Sequence, residues 1–414
     1  MCELHKTIKK KNIILMKKIL LGLFMSVFVG CLAQQSDKKP YLVVLSMDGF
    51  RWDYVDSFPT PNLHYIIKNG VHAISLIPPF PSVTFPSHYT MATGLYPDHH
   101  GIVNNTFYDP DLGLVYSYKN NNLVNDGSFY GGEPIWVTAQ KQNIKAASYF
   151  WPGTEAEIKG IRPVYWKKYN AKSTYEQRID SVIYWLNLPE SIRPQLIMFY
   201  FDNPDHLSHS FGPFDPKVRE MVMRLDSLIG VIIIKIDQIP IGKQVNFIIV
   251  SDHGMEETNN KKVIVLDNYI SKSWCENING HYSFITLDAK QGYSENIYSG
   301  LSKAPHMKVW KKSDLPERFH FGTNHRIGEF VLSADSAYSM RWSGEMLTIN
   351  GNHGYDNMNS DMQGIFYAIG PAFKKGYLQP SFENVNLYII MTQVLQITPA
   401  LNDGHIEKVK QMFK

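Results

Sequence analysis

Four short apolar runs constrain this chain more than any other feature: Tyr41–Ser46, Leu196–Phe201, Val245–Val250 and Ile365–Ile369. Each is rich in β-branched or aromatic residues and apolar on both faces, so each belongs in a sheet covered on both sides. Helical patterns lie between them. Thr60-Pro61, with Leu63, Ile66 and Ile67 and then Gly70, carries start and stop signals. Ser173 and Glu176 form a capping box ahead of Ile179, Val182, Ile183 and Leu186. Asp215-Pro216 opens a longer helix with Val218, Met221, Val222, Leu225, Leu228, Ile229 and Ile232 on one face. This alternation predicts an α/β fold: a mostly parallel central sheet flanked by helices on both faces. Residues 260–345 break the rhythm. Tyr282–Leu287, Met307–Trp310 and Glu329–Leu332 read as short strands of a small α+β insertion within one domain spanning 34–414.

The N-terminal 33 residues read as a secretory signal. Lys17 and Lys18 precede an apolar run from Ile19 to Leu32, closed by the small Ala33, with Met16 as an alternative start. The run is short for a spanning helix, which needs about 20 apolar residues. Export to the periplasm follows, with no spanning segment in the mature chain. The alternative is a lipoprotein anchored through Cys31, because Val29-Gly30-Cys31 resembles a lipobox. Removing this segment takes six of 41 Lys and Arg and one of 38 Asp and Glu, leaving 35 against 37. No basic patch suits a nucleic-acid duplex. Of Cys2, Cys31 and Cys275 only the last survives cleavage after Ala33, so the mature fold holds no internal disulfide.

The acids fall at the ends of the apolar runs. Asp48 follows the first, Asp205 lies just beyond the second, and Asp252-His253 follow the third. Ligands of open α/β sheets bind outside the carboxyl ends of the strands, so these acids should converge. His209, four residues after Asp205, shares its face of a turn, and His353 sits in the loop sequence Gly351-Asn352-His353-Gly354. Three carboxylates and three imidazoles without cysteine suit zinc or a similar ion, and six ligands exceed one tetrahedral site. Paired ions stabilise both the attacking and the leaving oxygen of an in-line displacement at phosphorus. The candidate nucleophile is Thr84 in Pro81-Ser82-Val83-Thr84-Phe85-Pro86-Ser87-His88. Pro86 suits a first helical turn, so Thr84 sits where the helix dipole favours an alkoxide. A plain helix cap is the simpler local reading, and Ser82 and Ser87 are competing hydroxyls.

These residues resemble the nucleotide pyrophosphatase/phosphodiesterases of the alkaline phosphatase superfamily. The resemblance rests on Ser46-Met47-Asp48-Gly49-Phe50-Arg51, Thr84-Phe85-Pro86, Thr93-Gly94-Leu95-Tyr96-Pro97, Gly132-Glu133-Pro134-Ile135-Trp136, Pro204-Asp205, Ser251-Asp252-His253-Gly254-Met255 and Asn352-His353-Gly354-Tyr355-Asp356. Leu315-Pro316-Glu317-Arg318 looks like the family's insert. The resemblance implies two Zn2+, one on Asp205, His209 and His353, the other on Asp48, Asp252, His253 and Thr84. It implies Thr84 as the nucleophile of a phosphothreonine intermediate. Asn105 would donate to a phosphate oxygen, with Asn104 as the adjacent competitor. Phe85 and Phe211 match positions that hold a nucleobase, favouring nucleotides that release 5′-monophosphates. Tyr118, Phe129, Tyr130 and Trp151 are further candidates for a pocket. Other members cleave choline-lipid headgroups, and superfamily monoesterases place a cation on the terminal phosphate oxygens. Arg51 is near Asp48 but at no spacing that fits such a cation. The implied partner is a small phosphodiester, and no protein partner is inferred. Ser208 replaces the family's usual Gly between Asp205 and His209.

Overall fold

The computed structural model describes residues 40–345 and 349–414. The secretory segment, with Met16 and Cys31, lies outside them. Among the described residues, no helix is long and apolar enough to cross a membrane.

Eight strands form the central sheet: β1 (Tyr41–Met47), β2 (Val71–Ala73), β3 (Ala146–Tyr149), β4 (Tyr165–Lys167), β5 (Leu196–Phe201), β6 (Val245–Val250), β7 (Phe366–Ile369) and β8 (Tyr377–Gln379). Their order is β8-β2-β7-β6-β1-β5-β3-β4. Only β7 runs antiparallel, to β2 and β6. The four apolar runs are therefore four of these strands, and the sheet is mostly parallel. Register sets the functional edge. Met47 pairs with Phe201 and Ser46 with Val250, so β1, β5 and β6 end level.

Alternate residues of the same strands feed opposite cores, as a period of two requires. Leu42, Val44, Leu196, Met198, Ile248 and Val250 face one cluster, whereas Val43, Leu45, Ile197, Phe199, Phe247 and Ile249 face another. Each such side chain contributes about 1.5–3 kcal/mol on burial. Seven helices flank the sheet, six of them supplying most of the two covers: α1 (Pro61–Asn69), α2 (Thr84–Thr93), α3 (Ile135–Lys141), α4 (Tyr175–Leu186), α5 (Asp205–Phe211), α6 (Pro216–Gln238) and α7 (Leu387–Leu395). α2, α3 and α7 pack on the first face, and α1, α4 and α6 on the second.

The expected capping box is displaced by one residue. Thr174 and Gln177 form it, not Ser173 and Glu176. Both pairs share the i, i+3 spacing, but the Ser173 hydroxyl is engaged with Tyr149 Oη at 2.8 Å. Residues 275–334 contain a four-stranded antiparallel sheet, in the order Cys275–His281, Phe284–Ala289, Phe330–Ala334, Met307–Lys311. It packs in a third apolar cluster that includes Cys275. Its first strand, Cys-Glu-Asn-Ile-Asn-Gly-His, escapes a hydrophobicity reading because it is mostly polar and its register shifts between Cys275 and Ile278.

Candidate active site and metal centre

The level strand ends deliver the acids to one place. Asp48 follows β1, and its backbone carbonyl accepts the amide hydrogen bond of Asp205 at 3.0 Å. Gly49 makes this approach possible. Its φ is +65°, and a Cβ there would lie 2.8 Å from Asp205 Cβ. Asp205 opens α5 and carries His209 one turn on. His353 follows the short strand Gly351–Asn352, which pairs with Glu256–Glu257 beyond β6. Far from being a free loop residue, His353 is buried.

Two groups of three result. Asp205, His209 and His353 form one; Asp48, Asp252 and His253 form the other. Nε2 of His209 and of His353 lie 3.3 and 3.6 Å from Asp205 Oδ1. Nε2 of His253 lies 3.4 Å from Asp48 Oδ1 and 3.1 Å from Asp252 Oδ2. The groups adjoin, since the rings of His253 and His353 stack with centroids 3.6 Å apart. Thr84 is the first residue of α2, and its Oγ1 lies 3.2 Å from His253 Nε2. Ser82 donates to the Tyr355 carbonyl and Ser87 to the Asp252 carbonyl. Of the three hydroxyls, Thr84 alone stands at the clusters.

The donor set fits metal ions. Nδ1 of His209, His253 and His353 each faces a backbone carbonyl, of Gly351, Gly254 and Ser82, at 2.8–2.9 Å. That contact fixes the proton on Nδ1 and turns an Nε2 lone pair inward. Asp48 Oδ1, Asp205 Oδ1 and Asp252 Oδ2 are buried without any hydrogen-bond partner, a costly condition unless a cation satisfies them. Burial, then repulsion from Asp252 and Asp205, raises the Asp48 carboxyl well above its ordinary value. Burial, then His253, pushes His353 down to about 3, so it is a neutral donor. Burial opposes ionisation of Asp205, but His209, His353 and His253 outweigh it and hold the carboxyl low. A further group, Asp109, Asp111 and His325, lies apart. There Asp109 accepts the Asp111 and Leu112 amides and pairs with Arg326 at 2.7 Å, which accounts for it as a turn.

Residues 42–356 match the model of the family described as type I phosphodiesterase/nucleotide pyrophosphatase. The chain belongs to this family. It is 34% identical over 392 residues to human ectonucleotide pyrophosphatase/phosphodiesterase family member 1, covering 91% of this chain and 42% of that protein. Against human family member 5 it is 33% identical, covering 92% of this chain and 79% of the relative. Its structure superposes with a TM-score of 0.87 and 32% identity on an inactive Thr-to-Ala variant of murine ectonucleotide pyrophosphatase/phosphodiesterase 5 in complex with AMP. That match covers 91% of this chain and 100% of the other. The alkaline phosphatase-like fold is thereby shared.

A cavity of about 570 Å3 opens over the clusters. Thr84, Asp48, Asp205, His209 and His353 reach it, while Asp252 and His253 are buried and do not line it. Phe85 and Asn105 line it; Asn104 does not. Asn105 Oδ1 accepts the Phe85 amide at 2.9 Å, which leaves the Asn105 Nδ2 donor free. Phe211, expected opposite Phe85, is not among the lining residues. It ends α5, 39% exposed, with the Lys217 ammonium 3.8 Å from its ring centroid. The aromatic wall consists instead of Tyr118, Phe150, Trp151, Tyr169 and Tyr200 with Phe85. Phe129 and Tyr130 are core residues. Arg51 is buried and committed to Asp53, Asp361 and the Met255 carbonyl. Sequence reasoning missed Tyr200, whose hydroxyl donates to Asp48 Oδ2 at 2.5 Å. In the run Leu-Ile-Met-Phe-Tyr-Phe it reads as one more apolar strand residue. Only the register of β5 on β1 shows its role.

Proposed function

We propose that this chain hydrolyses phosphodiester and phosphoanhydride bonds of nucleotides, releasing nucleoside 5′-monophosphates through a phosphothreonine on Thr84. The observation that carries this reading is the placement of Thr84 Oγ1 at the junction of two carboxylate–imidazole clusters, under a cavity with an aromatic wall. Two zinc ions, one on Asp205, His209 and His353 and one on Asp48, Asp252, His253 and Thr84, would supply Lewis acidity at the attacking and leaving oxygens.

The chain's own residues account for the remaining chemistry. At the first position of α2, Oγ1 feels the positive end of the helix dipole, which favours its alkoxide. Attack forms a Thr84 O–P bond and breaks the bond from phosphorus to the departing alcohol or pyrophosphate. Water then cleaves the ester and restores the hydroxyl. The free Nδ2 of Asn105, held by the Phe85 amide, points its donor at a non-bridging oxygen as charge develops there. Phe85 and the tyrosines supply stacking faces that tolerate any base, worth about 1–3 kcal/mol per base. The AMP bound to an inactive Thr-to-Ala relative supports both the nucleotide and the threonine. The basic and apolar segment before Ala33 supports export to the periplasm.

Arg51 is engaged by Asp53, Asp361 and the Met255 carbonyl and does not line the cavity, which supports a diester over a monoester, whose enzymes place a cation on the terminal phosphate oxygens. The choline-lipid reading keeps one physical argument: Asp202 and Glu155 share the aromatic wall and could receive a quaternary ammonium. Rates on an aryl nucleotide diester, a choline lipid and an aryl phosphate monoester decide among the three. The nucleotide diester should be fastest; a monoester preference refutes the proposal.

A further inference from the structure

His88 lies in the second turn of α2 and touches both the Thr84 turn and Asp252. It is fully buried. Its Nδ1 lies 2.9 Å from the Thr84 carbonyl oxygen and 3.3 Å from Asp252 Oδ2. Its Nε2 lies 2.8 Å from Ser46 Oγ. Nδ1 faces two oxygens that can only accept, the second from an ionised carboxylate, so Nδ1 carries the proton and Nε2 accepts the Ser46 hydroxyl. Asp252 Oδ1 already accepts the Gly49 amide at 3.2 Å. Oδ2 is the oxygen left without a hydrogen bond, between His253 Nε2 and the His88 N–H. The rings of Trp151 and Tyr200 stand edge-on to the imidazole at 5.2 and 5.3 Å and fix its plane. Ser46, which holds the other ring nitrogen, is two residues before Asp48.

We propose that His88 is a positioning residue for the reaction: its Nδ1–H, shared between the Thr84 carbonyl and Asp252 Oδ2, sets the nucleophile against the Asp48/Asp252/His253 cluster. The inference rests on the reading of Thr84 and the two clusters given above. The physical reason is reach. Thr84 enters the site from a helix on one face of the sheet, and Asp252 enters from a strand end. Among the contacts described here, the His88 imidazole is the one that joins the Thr84 turn, the Asp252 carboxylate and β1. A ligating carboxylate also gains direction from a donor on its outer side.

The test uses His88→Phe, which keeps a ring without either nitrogen, and His88→Asn, whose amide N–H stands where Nδ1–H stood. Zinc affinities come from competition with a chromophoric chelator, and kcat and KM from an aryl nucleotide diester. The Phe variant should lose about 10- to 100-fold in affinity for one of its two ions. Its kcat should fall while KM stays, and the ion of Asp205, His209 and His353 serves as the internal control. The Asn variant should recover most of the loss. Wild-type affinities and kcat in the Phe variant overturn the inference, as does an equal loss in both variants. If the Phe variant does not fold, Ser46→Ala frees Nε2 and should lower kcat at constant KM; an unchanged kcat overturns it. A wild-type protein that binds no zinc refutes the underlying functional reading instead.

Discussion

Removing the Tyr200 hydroxyl should weaken the site by an amount the structure sets. Oη donates to Asp48 Oδ2 at 2.5 Å, and the other oxygen, Oδ1, has no hydrogen-bond partner. Burial, then the neighbouring Asp48 charge, raises the phenol well above its ordinary value, so it remains a donor throughout the working pH range. A hydrogen bond to a charged group contributes about 1.5–3 kcal/mol, which is about 10- to 150-fold in an equilibrium or rate constant. Tyr200→Phe keeps the ring in the cavity wall and deletes only this donor. Zinc affinity or kcat/KM should fall by that factor. The sign of the pH effect follows as well. The phenol lowers the Asp48 pKa against burial and the repulsion of Asp252 and Asp205. Without it the carboxyl rises further, and the acid limb of zinc binding moves to higher pH. Zinc competition at several pH values and kcat/KM on an aryl nucleotide diester measure both. A variant within two-fold of wild type, with its acid limb unmoved, refutes the reasoning.

Thr84→Ala should lower kcat by roughly 10,000-fold or more, as loss of a nucleophile does, while zinc bound per chain stays at the wild-type level; a wild-type rate excludes Thr84. Phe85→Ala should raise KM for nucleotide diesters about 5- to 150-fold, from a stacking contribution of about 1–3 kcal/mol, with kcat less affected. The backbone amide that holds Asn105 remains in this variant, so a collapse of kcat at constant KM would contradict the stacking role. Chelation should abolish turnover, and the Tm of the chelated protein should fall as pH rises above 6.5, beyond the range in which buried His353, held down to about 3, adds stability with rising pH. Asp48 is raised above the ordinary aspartate value of 3.8 by burial and its acidic neighbours, so its share of stability is full below 3.8 and is lost as pH rises through its folded value. His209 acts in the same sense above 6.5. Burial lowers it, but Asp205 and the Gly351 carbonyl raise it on balance. Zinc should flatten this slope; a chelated protein whose Tm rises steadily through the neutral range contradicts the assignment.

What the sequence made legible divides along a physical line. A strand that is apolar on both faces has one kind of home, so the central sheet could be read from four runs of side chains. Acids at the ends of such runs could be located because parallel strands share one functional edge. Distinguishing Thr84 from Ser82 and Ser87 needed the tertiary carbonyl partners that occupy the two serines. Spacing favours Asn105 over Asn104, and Asn105 lines the cavity where Asn104 does not. The misplaced capping box failed for the same reason: Ser173 and Thr174 are equivalent until Tyr149 takes one of them. Phe211 shows what position in the chain leaves open: the end of α5 places its ring under Lys217 and outside the lining of the cavity, and stacking depends on where a ring faces.

The orphaned carboxylate oxygens set the charge of the site. Three buried acids at the adjoining clusters repel, Asp252 and Asp205 both acting on Asp48. With neutral imidazoles around them their charge is −3, and two divalent ions at +4 would leave the site at +1. A site so balanced would attract a phosphodiester anion and hold it without a permanent arginine or lysine at phosphorus, in keeping with the diversion of Arg51 into its own salt bridges. Among the described residues, Lys119 is the one Lys or Arg that lines the cavity, on the wall that carries Tyr118. The positive charge at the reacting centre would therefore be conditional on the ions. The protein's part would be to hold six ligands and one hydroxyl so that this charge forms in one place.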